Sequence, residues 1–470
     1  MFWKRFSKGK LRQHLLILGL AALLSLHMAA SSETAAGDRH GSPLVIPEIL
    51  ENQSSDPERA SFELFVQHGT MEFFPGVKTE TLGYNGNYLG PVLRIRRGQE
   101  VNVVVHNELD EPTTVHWHGV DLSGDVDGGP HQSIEPGEVW QPTFTTDQPA
   151  ATLWYHPHFH KTTGPQVYSG LAGLIYVEDD VSDRLNLPKE YGVNDIPLIM
   201  QDRNFSSSGS FSYEIDMMGL LPGDTMLVNG TVNPYLEVNR ENVRLRILNG
   251  SNFENFFLQL SDGSPFYQIA SDGGFLEQPV LRESLFVTPG ERVEVIVDFA
   301  AVVGAEVALT AGGQTVLQFY VLDSAGASTE VPETLAVLPE LLPSAQLPTR
   351  VFELQSMGLH GTINGKSFDM HRIDEEVTLG ETETWIIRNM HSMMGASGHP
   401  FHIHGTQFRV VSRNGNPPPP EERGYKDTVY VDLGEEVILQ VRFDHPGIFM
   451  YHCHMLEHEE HGMMGQFRVQ

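Results

Sequence analysis

Gly98-Gln99-Glu100-Val101-Asn102-Val103-Val104-Val105 is a turn residue followed by a short alternating apolar run. Alternation with period two is the pattern of a half-buried strand. The pattern returns as Glu241 to Leu248 (Glu-Asn-Val-Arg-Leu-Arg-Ile-Leu) and as Gly380 to Ile387 (Gly-Glu-Thr-Glu-Thr-Trp-Ile-Ile). An Asn-Gly turn precedes each copy, in Tyr84-Asn85-Gly86, Val228-Asn229-Gly230 and Ile363-Asn364-Gly365. This weak internal repeat predicts three structural units.

Further short runs fall between turn signals: Leu93 to Ile95, Gly173 to Val177, Arg292 to Val297 and Val437 to Val441, with Asn249-Gly250 and Asn414-Gly415 among the turns. Long helical periodicity is scarce, so the expected class is all-β, made of sandwiches. A chain of 470 residues has room for roughly three domains. The expected limits are 45–180, 190–325 and 350–470, with Val331 to Pro348 as the second linker and Pro417 to Pro420 as a stiff surface turn.

The chain opens like an export signal. Lys4, Arg5, Lys8, Lys10 and Arg12 precede an apolar run from Leu15 to Leu26, and small residues follow at Ala29 to Ser32. The run is too short to cross a bilayer comfortably. Residues 1–32 are therefore read as a signal peptide, and the mature protein as periplasmic or secreted with no membrane span. Lys4-Arg5 before Phe6 only faintly resembles a twin-arginine signal, so the export route stays open. Acidic residues outnumber basic ones by 61 to 30. That surface repels phosphate backbones and excludes nucleic acid as a partner. It suits a soluble, monomeric exported protein.

Cys453 is the one cysteine. It has no internal disulfide partner, and a free thiol in an oxidising compartment is a liability unless metal holds it. Histidine is distributed unevenly: none occurs between His160 and His360. Tight groups stand on either side of that gap: His116-Trp117-His118, His156-Pro157-His158, His399-Pro400-Phe401-His402-Ile403-His404, and His452-Cys453-His454 with His458 and Met463 beyond. Residues i and i+2 of a strand share a face, so each His-x-His pair can aim two imidazoles at one place. One pair is common on surfaces; four groups in the outer thirds of one chain are not. A site built from both would lie where the first and third domains meet.

The last group narrows the metal. Two His, one Cys and a weak axial Met make a blue-copper site. Cys453, His458 and Met463 run at intervals of five, and His399 can supply the second imidazole. His452 and His454 flank the cysteine and point away from it in a strand, toward other metal. The arrangement collects single electrons at one place and uses them at another.

These four groups resemble the multicopper oxidases, the family of laccases, bilirubin oxidases and bacterial copper efflux oxidases, over nearly the whole mature chain. The likeness is nearest to the bacterial three-domain branch, through His156-Pro157-His158 and Gly170-Leu171-Ala172-Gly173-Leu174. The resemblance implies three cupredoxin-like Greek-key β-sandwiches and four copper ions. By position it implies a type 1 copper on His399, Cys453 and His458 with Met463 axial. It places a type 2 copper on His116 and His402, and a type 3 pair on His118, His156, His158, His404, His452 and His454. Met464 adjoins the axial position, but the family spacing favours Met463. Reduction of dioxygen to water consumes protons, and Glu459 and Asp127 match the acids the family sets beside the cluster. His160 is read as structural, and His131, His371, His391, His445 and His461 as outside the site.

Dioxygen and a small-molecule or metal-ion reductant are the implied partners. Copper efflux oxidases carry a Met-rich insertion in the third domain and an acid shortly before the type 1 histidine. Val351 to Asp369 has no such insertion, and Arg388 to Gly398 has no carboxylate. Laccase-like oxidation of phenols or aromatic amines is the expected function. Met370, Met390, Met393 and Met394 near His399 keep a cuprous or other metal-ion oxidase as the alternative. A copper nitrite reductase would lack the second flanking histidine, and a division-associated scaffold would be expected to have lost copper ligands.

Overall fold

One local device recurs three times in the frame. Asn85, Asn229 and Asn364 sit at positive φ (56°, 50° and 55°), which asparagine tolerates because its short amide bonds nearby backbone. Each side chain then stitches onto a strand in the same way. Asn85 accepts from Phe65 N at 2.7 Å and donates to Glu63 O at 2.8 Å. Asn229 does so with Ile199 N (2.8 Å) and Pro197 O (2.9 Å), and Asn364 with Glu353 N (2.7 Å) and Val351 O (3.0 Å). Asn249 differs. It closes a strand, and its amide braces the Glu254 and Val287 carbonyls at 2.9 Å each.

The computed structural model describes residues 39–217, 219–326, 330–390 and 398–470. The predicted signal peptide, 1–32, lies outside them. Among the described residues strands dominate, and no helix is long and apolar enough to cross a membrane. The elements that place the site are, in the first third, β1 (Arg59–Phe74), β2 (Glu100–Asn107), β3 (His116–His118) and β4 (Ala151–His156). In the middle third they are β5 (Asp195–Arg203), β6 (Asn242–Asn249) and β7 (Arg292–Asp298). In the last third they are β8 (Thr349–Met357), β9 (His360–Ile363), β10 (Thr382–Asn389), β11 (His399–Ile403), β12 (Thr428–Val431), β13 (Gly447–Cys453), α1 (Leu456–Glu460) and β14 (Met464–Val469).

The three repeat strands, β2, β6 and β10, each run parallel to the upstream strand that the asparagine holds. The registers are Arg59↔Glu100 to Val66↔Asn107, Asp195↔Arg244 to Met200↔Asn249, and Thr349↔Thr384 to Leu354↔Asn389. A parallel pair needs a crossover rather than a hairpin, which gives these otherwise antiparallel sheets their Greek-key connection. In β2 the alternation behaves as read: Val101, Val103 and Val105 are buried, and Asn102, Val104 and His106 half-buried.

The fold is all-β, three cupredoxin-like Greek-key sandwiches, each with its own apolar core. Phe62, Leu64, Val103 and Trp117 fill the first. Leu198, Leu245, Phe299 and Phe319 fill the second, and Phe352, Trp385, Phe401 and Phe467 the third. Trp154 and Leu174 of the first pack with Ile199 and Leu248 of the second.

Candidate metal centre

β3 pairs antiparallel with β4, which sets His116 opposite His156. β11 pairs with β13, which sets His402 opposite His452 and Phe401 opposite Cys453. The two histidine-bearing ladders face each other. His118 stacks on His402 and His116 on His404, both with ring centroids 3.8 Å apart. His158 Nε2 and His404 Nε2 each lie 3.1 Å from His452 Nε2, and His118 Nδ1 lies 3.3 Å from His156 Nε2. His454 faces His118 and His156, with centroids 4.9 and 5.5 Å away. Thus His116, His118, His156, His158, His402, His404, His452 and His454 come together in one buried cluster.

The donor set fits metal. Ligand atoms of His158, His404 and His452 lie within 4.8 Å of one another, as do those of His116, His402 and His404. His116 Nε2, His402 Nε2 and both His454 ring nitrogens are buried without a hydrogen-bond partner. Leaving such a group bare costs about 1–3 kcal/mol, and ligation removes that cost. Burial first, and neighbouring imidazoles second, hold His118, His158, His402 and His404 well below the ordinary histidine range. They are neutral at neutral pH, the form that ligates.

A second group sits beside the cluster. Cys453 Sγ lies 3.5 Å from His399 Nδ1 and 3.7 Å from His458 Nδ1. Burial pushes the Cys453 thiol up, and burial lowers His399 to about 3 and His458 to about 4. A buried thiol flanked by neutral imidazoles is stable as a thiolate only with a cation between them. Met463 is buried against this corner, and Cys453 N donates to the Met463 carbonyl at 3.0 Å. Gly361 leaves the thioether its room: a Cβ there would stand 2.8 Å from Met463 Sδ.

Neither predicted acid lies on the surface. Asp127 Oδ2 accepts from His404 Nδ1 at 2.7 Å, and its carbonyl accepts from His116 Nδ1 at 2.9 Å. Glu459 on α1 places its two oxygens 3.5 Å from His158 Nδ1 and 3.3 Å from His452 Nδ1. Burial, with Glu460 adding to it, raises the Glu459 carboxyl well above the usual range.

Sequence reasoning missed Asp427 and Ser356. Asp427 Oδ1 lies 3.0 Å from His118 Nε2, and the Asp427 carbonyl 2.8 Å from His402 Nδ1. Ser356 Oγ lies 3.0 Å from His399 Nε2. No spacing or composition marks either one, because each becomes a partner only once the sheets are assembled. His160 packs edge-on against Phe368, with centroids 5.1 Å apart. His131 bonds Gln466 at 2.7 Å, and His445 stands 3.9 Å from Asp121. His371 is exposed, and His461 lines a cavity outside the cluster. His391, Met393 and Met394 lie outside the described residues.

Family models described as multicopper oxidase match residues 65–182, 203–316 and 338–470. The chain belongs to the multicopper oxidases. It is 42% identical over 427 residues to multicopper oxidase mco of Staphylococcus epidermidis, covering 91% of this chain and 92% of that one. It is 37% identical over 457 residues to the cell division protein FtsP of Escherichia coli, covering 93% and 94%. The crystal structure of a laccase from Pediococcus acidilactici superposes with a TM-score of 0.88 at 40% identity, covering 93% of this chain and 95% of that one. This multicopper oxidase is a copper-dependent oxidoreductase with dioxygen as acceptor.

Proposed function

We propose that this multicopper oxidase is laccase-like: it oxidises phenols or aromatic amines one electron at a time and reduces dioxygen to water. Its four coppers divide into a type 1 ion on His399, Cys453, His458 and Met463, a type 2 ion on His116 and His402, and a type 3 pair on the other six cluster histidines. One observation carries the reading. Cys453 lies between His452 and His454 on one strand end, and those two histidines belong to different halves of the cluster. A short covalent path through one peptide unit on either side of the thiol therefore reaches the cluster histidines. Copper bound in these sites supplies one-electron transfer at Cys453 and the four-electron reduction at the cluster.

The protein's own groups do the rest. Glu459, kept protonated by burial, holds a proton between His158 and His452 where reduced oxygen needs one. Asp127 orients His404 and, through its carbonyl, His116. Trp154 stacks on His156, with centroids 4.0 Å apart, and keeps water from that wall. His399, bonded at Nε2 to Ser356 Oγ, would pass electrons from a donor to copper held at Cys453. Beside its Ser356 bond lies a cavity of about 570 Å³ lined by Ser356, Met357, His360, Gly361, Met390 and His461. The tight β8–β9 hairpin, with no insertion after it, leaves that volume for an organic ring. Met357 and Met390 are soft thioether donors and His360 and His461 are imidazoles that suit copper and iron, which favours metal-ion oxidation as the second reading. Domain limits near 45–180, 190–325 and 350–470, export to the periplasm or exterior, and a monomeric state complete the proposal.

Dioxygen uptake by copper-loaded protein tests it, with a phenol, an aromatic amine, bilirubin, Cu(I), Fe(II) and Mn(II) as donors. Comparable efficiency for a small phenol with and without excess Cu(II) supports the laccase reading. A strict need for excess Cu(II) restores the metal-ion reading. No uptake with any donor points to a scaffold.

A further inference from the structure

The middle domain offers the cluster no histidine, yet it reaches the cluster directly. Gly290, at φ +85°, lies so flat on His454 that a Cβ would stand 2.8 Å from the ring. Two residues on, Arg292 at the start of β7 is fully buried and grips Asp427 of the third domain with both terminal nitrogens. Its other donors go to the carbonyls of Thr152 (3.1 Å), Gly290 (2.8 Å) and Asp272 (3.2 Å), which holds the guanidinium in one orientation. Arg292 thereby ties the first and third domains to the second at one point.

Asp427 sits at the centre of that tie. Its Oδ1 faces His118 Nε2 and accepts from Thr428 Oγ1 at 3.0 Å. Its Oδ2 accepts from Gln407 Nε2 at 2.9 Å. Its carbonyl faces His402 Nδ1. A carboxylate paired with arginine and a backbone carbonyl only accept hydrogen bonds. His118 must therefore carry its proton on Nε2, and His402 on Nδ1. What remains is His118 Nδ1, aimed toward His156, and His402 Nε2, buried and without a partner. One residue thus sets the tautomer of two cluster histidines from different domains.

We propose that Asp427, clamped by Arg292 of the histidine-free middle domain, is the positioning residue that selects the metal-facing nitrogen of His118 and His402. The proposal rests on the reading that the cluster binds copper. Its consequence is that the Arg292–Asp427 clamp governs how well the cluster fills, whereas the middle domain meets the Cys453 corner elsewhere, through Phe253 edge-on against His458 at 5.1 Å.

The Asp427→Ala/Arg292→Met double variant tests this. It removes both charges together, which a protein interior tolerates better than a lone buried ion. In copper-free protein labelled with ¹⁵N-histidine, the wild-type His118 signal should show the Nε2–H tautomer. In the variant it should show the Nδ1–H form or a mixture. In copper-loaded protein the variant should keep the blue thiolate band per molecule, yet lose the near-ultraviolet shoulder and at least half of its bound copper. A brace that acts only on stability would leave the tautomer and the copper of the folded molecules unchanged, and that result overturns the proposal. Should the double variant not fold, Asp427→Leu with Arg292→Leu removes the same acceptor and is read the same way. If wild-type protein takes up no copper at the cluster, the copper reading fails; the copper-free tautomer measurement still decides what Asp427 does.

Discussion

The corner around Cys453 and the histidine cluster beside it are built by opposite means. Three of the corner's four residues lie between Cys453 and Met463, and the fourth, His399, reaches them from the adjoining strand of the same sheet. The cluster takes two ladders from two domains and is braced by a third domain that gives it no ligand. All four corner residues come from the third domain, and docking adds only outer contacts such as Phe253 edge-on against His458 at 5.1 Å. The cluster exists only in the docked molecule. The corner should therefore survive insults that empty the cluster, whereas loss of the corner stops turnover however complete the cluster is.

The sharpest break in that comparison is Cys453→Ser. We expect the blue colour to vanish and donor oxidation to fall to background, with the fold retained. A hydroxyl buried without a good partner costs about 1–3 kcal/mol, which a protein of ordinary stability withstands. A variant that stays blue would remove Cys453 from the site. Next in size is acid sensitivity of the copper-free protein. Burial keeps His118, His156, His158, His402, His404 and His454 neutral when folded, with His452 lowered to about 3. The unfolded chain takes up protons below about 6.5. The unfolded state then binds more protons than the folded one, so stability is full above that pH and falls as pH drops toward 3. Melting temperature of copper-free protein from pH 7.5 to 4.5 should fall steeply, and copper loading should flatten the curve. A flat copper-free curve would mean that the histidines are not buried together.

How much of this is legible in the sequence follows the same division. The strand alternation after Gly98, the three Asn turns and the Cys453 loop are local, and the structure bears out the strands and the turns. Asn249-Gly250 reads like the other turns but closes a strand, because its amide is recruited by carbonyls at Glu254 and Val287. Asp127 is legible only through the family resemblance, since its bond to His404 spans 277 residues. Asp427 and Arg292 are not legible at all. A lysine-aspartate pair before β12 and an arginine opening β7 look like ordinary polar strand ends until two domains bury them against each other.

Glu459→Gln separates the halves of the site more gently. The substitution preserves shape and removes the proton that the carboxyl holds between His158 and His452. Dioxygen reduction at saturating donor should slow about 100-fold, the low end of what a positioned acid contributes. Blue colour and bound copper should be nearly unchanged, because Glu459 supplies no ligand. Unchanged turnover would make it a bystander, and a large loss of copper would make it a brace for His158 and His452.

The smallest effect should come from Ser356→Ala, and it asks where the donor meets the corner. Both corner histidines are held from outside by the β8–β9 hairpin: His399 Nε2 by Ser356 Oγ at 3.0 Å, and His458 by the Gly358 backbone. The backbone bond cannot be removed by a side-chain change, but the serine bond can. Its loss takes no ligand from copper, so the band intensity and copper content should hold. It frees one imidazole nitrogen toward the cavity of Ser356, Met357 and His360. If donors enter there, a phenol able to donate or accept a hydrogen bond should change its KM about 3- to 10-fold, equivalent to one neutral hydrogen bond, while kcat moves less. Cu(I), which meets methionine and histidine rather than the hydroxyl, should be affected less than the phenol. Equal, negligible effects on both donors would place electron entry at His458 instead.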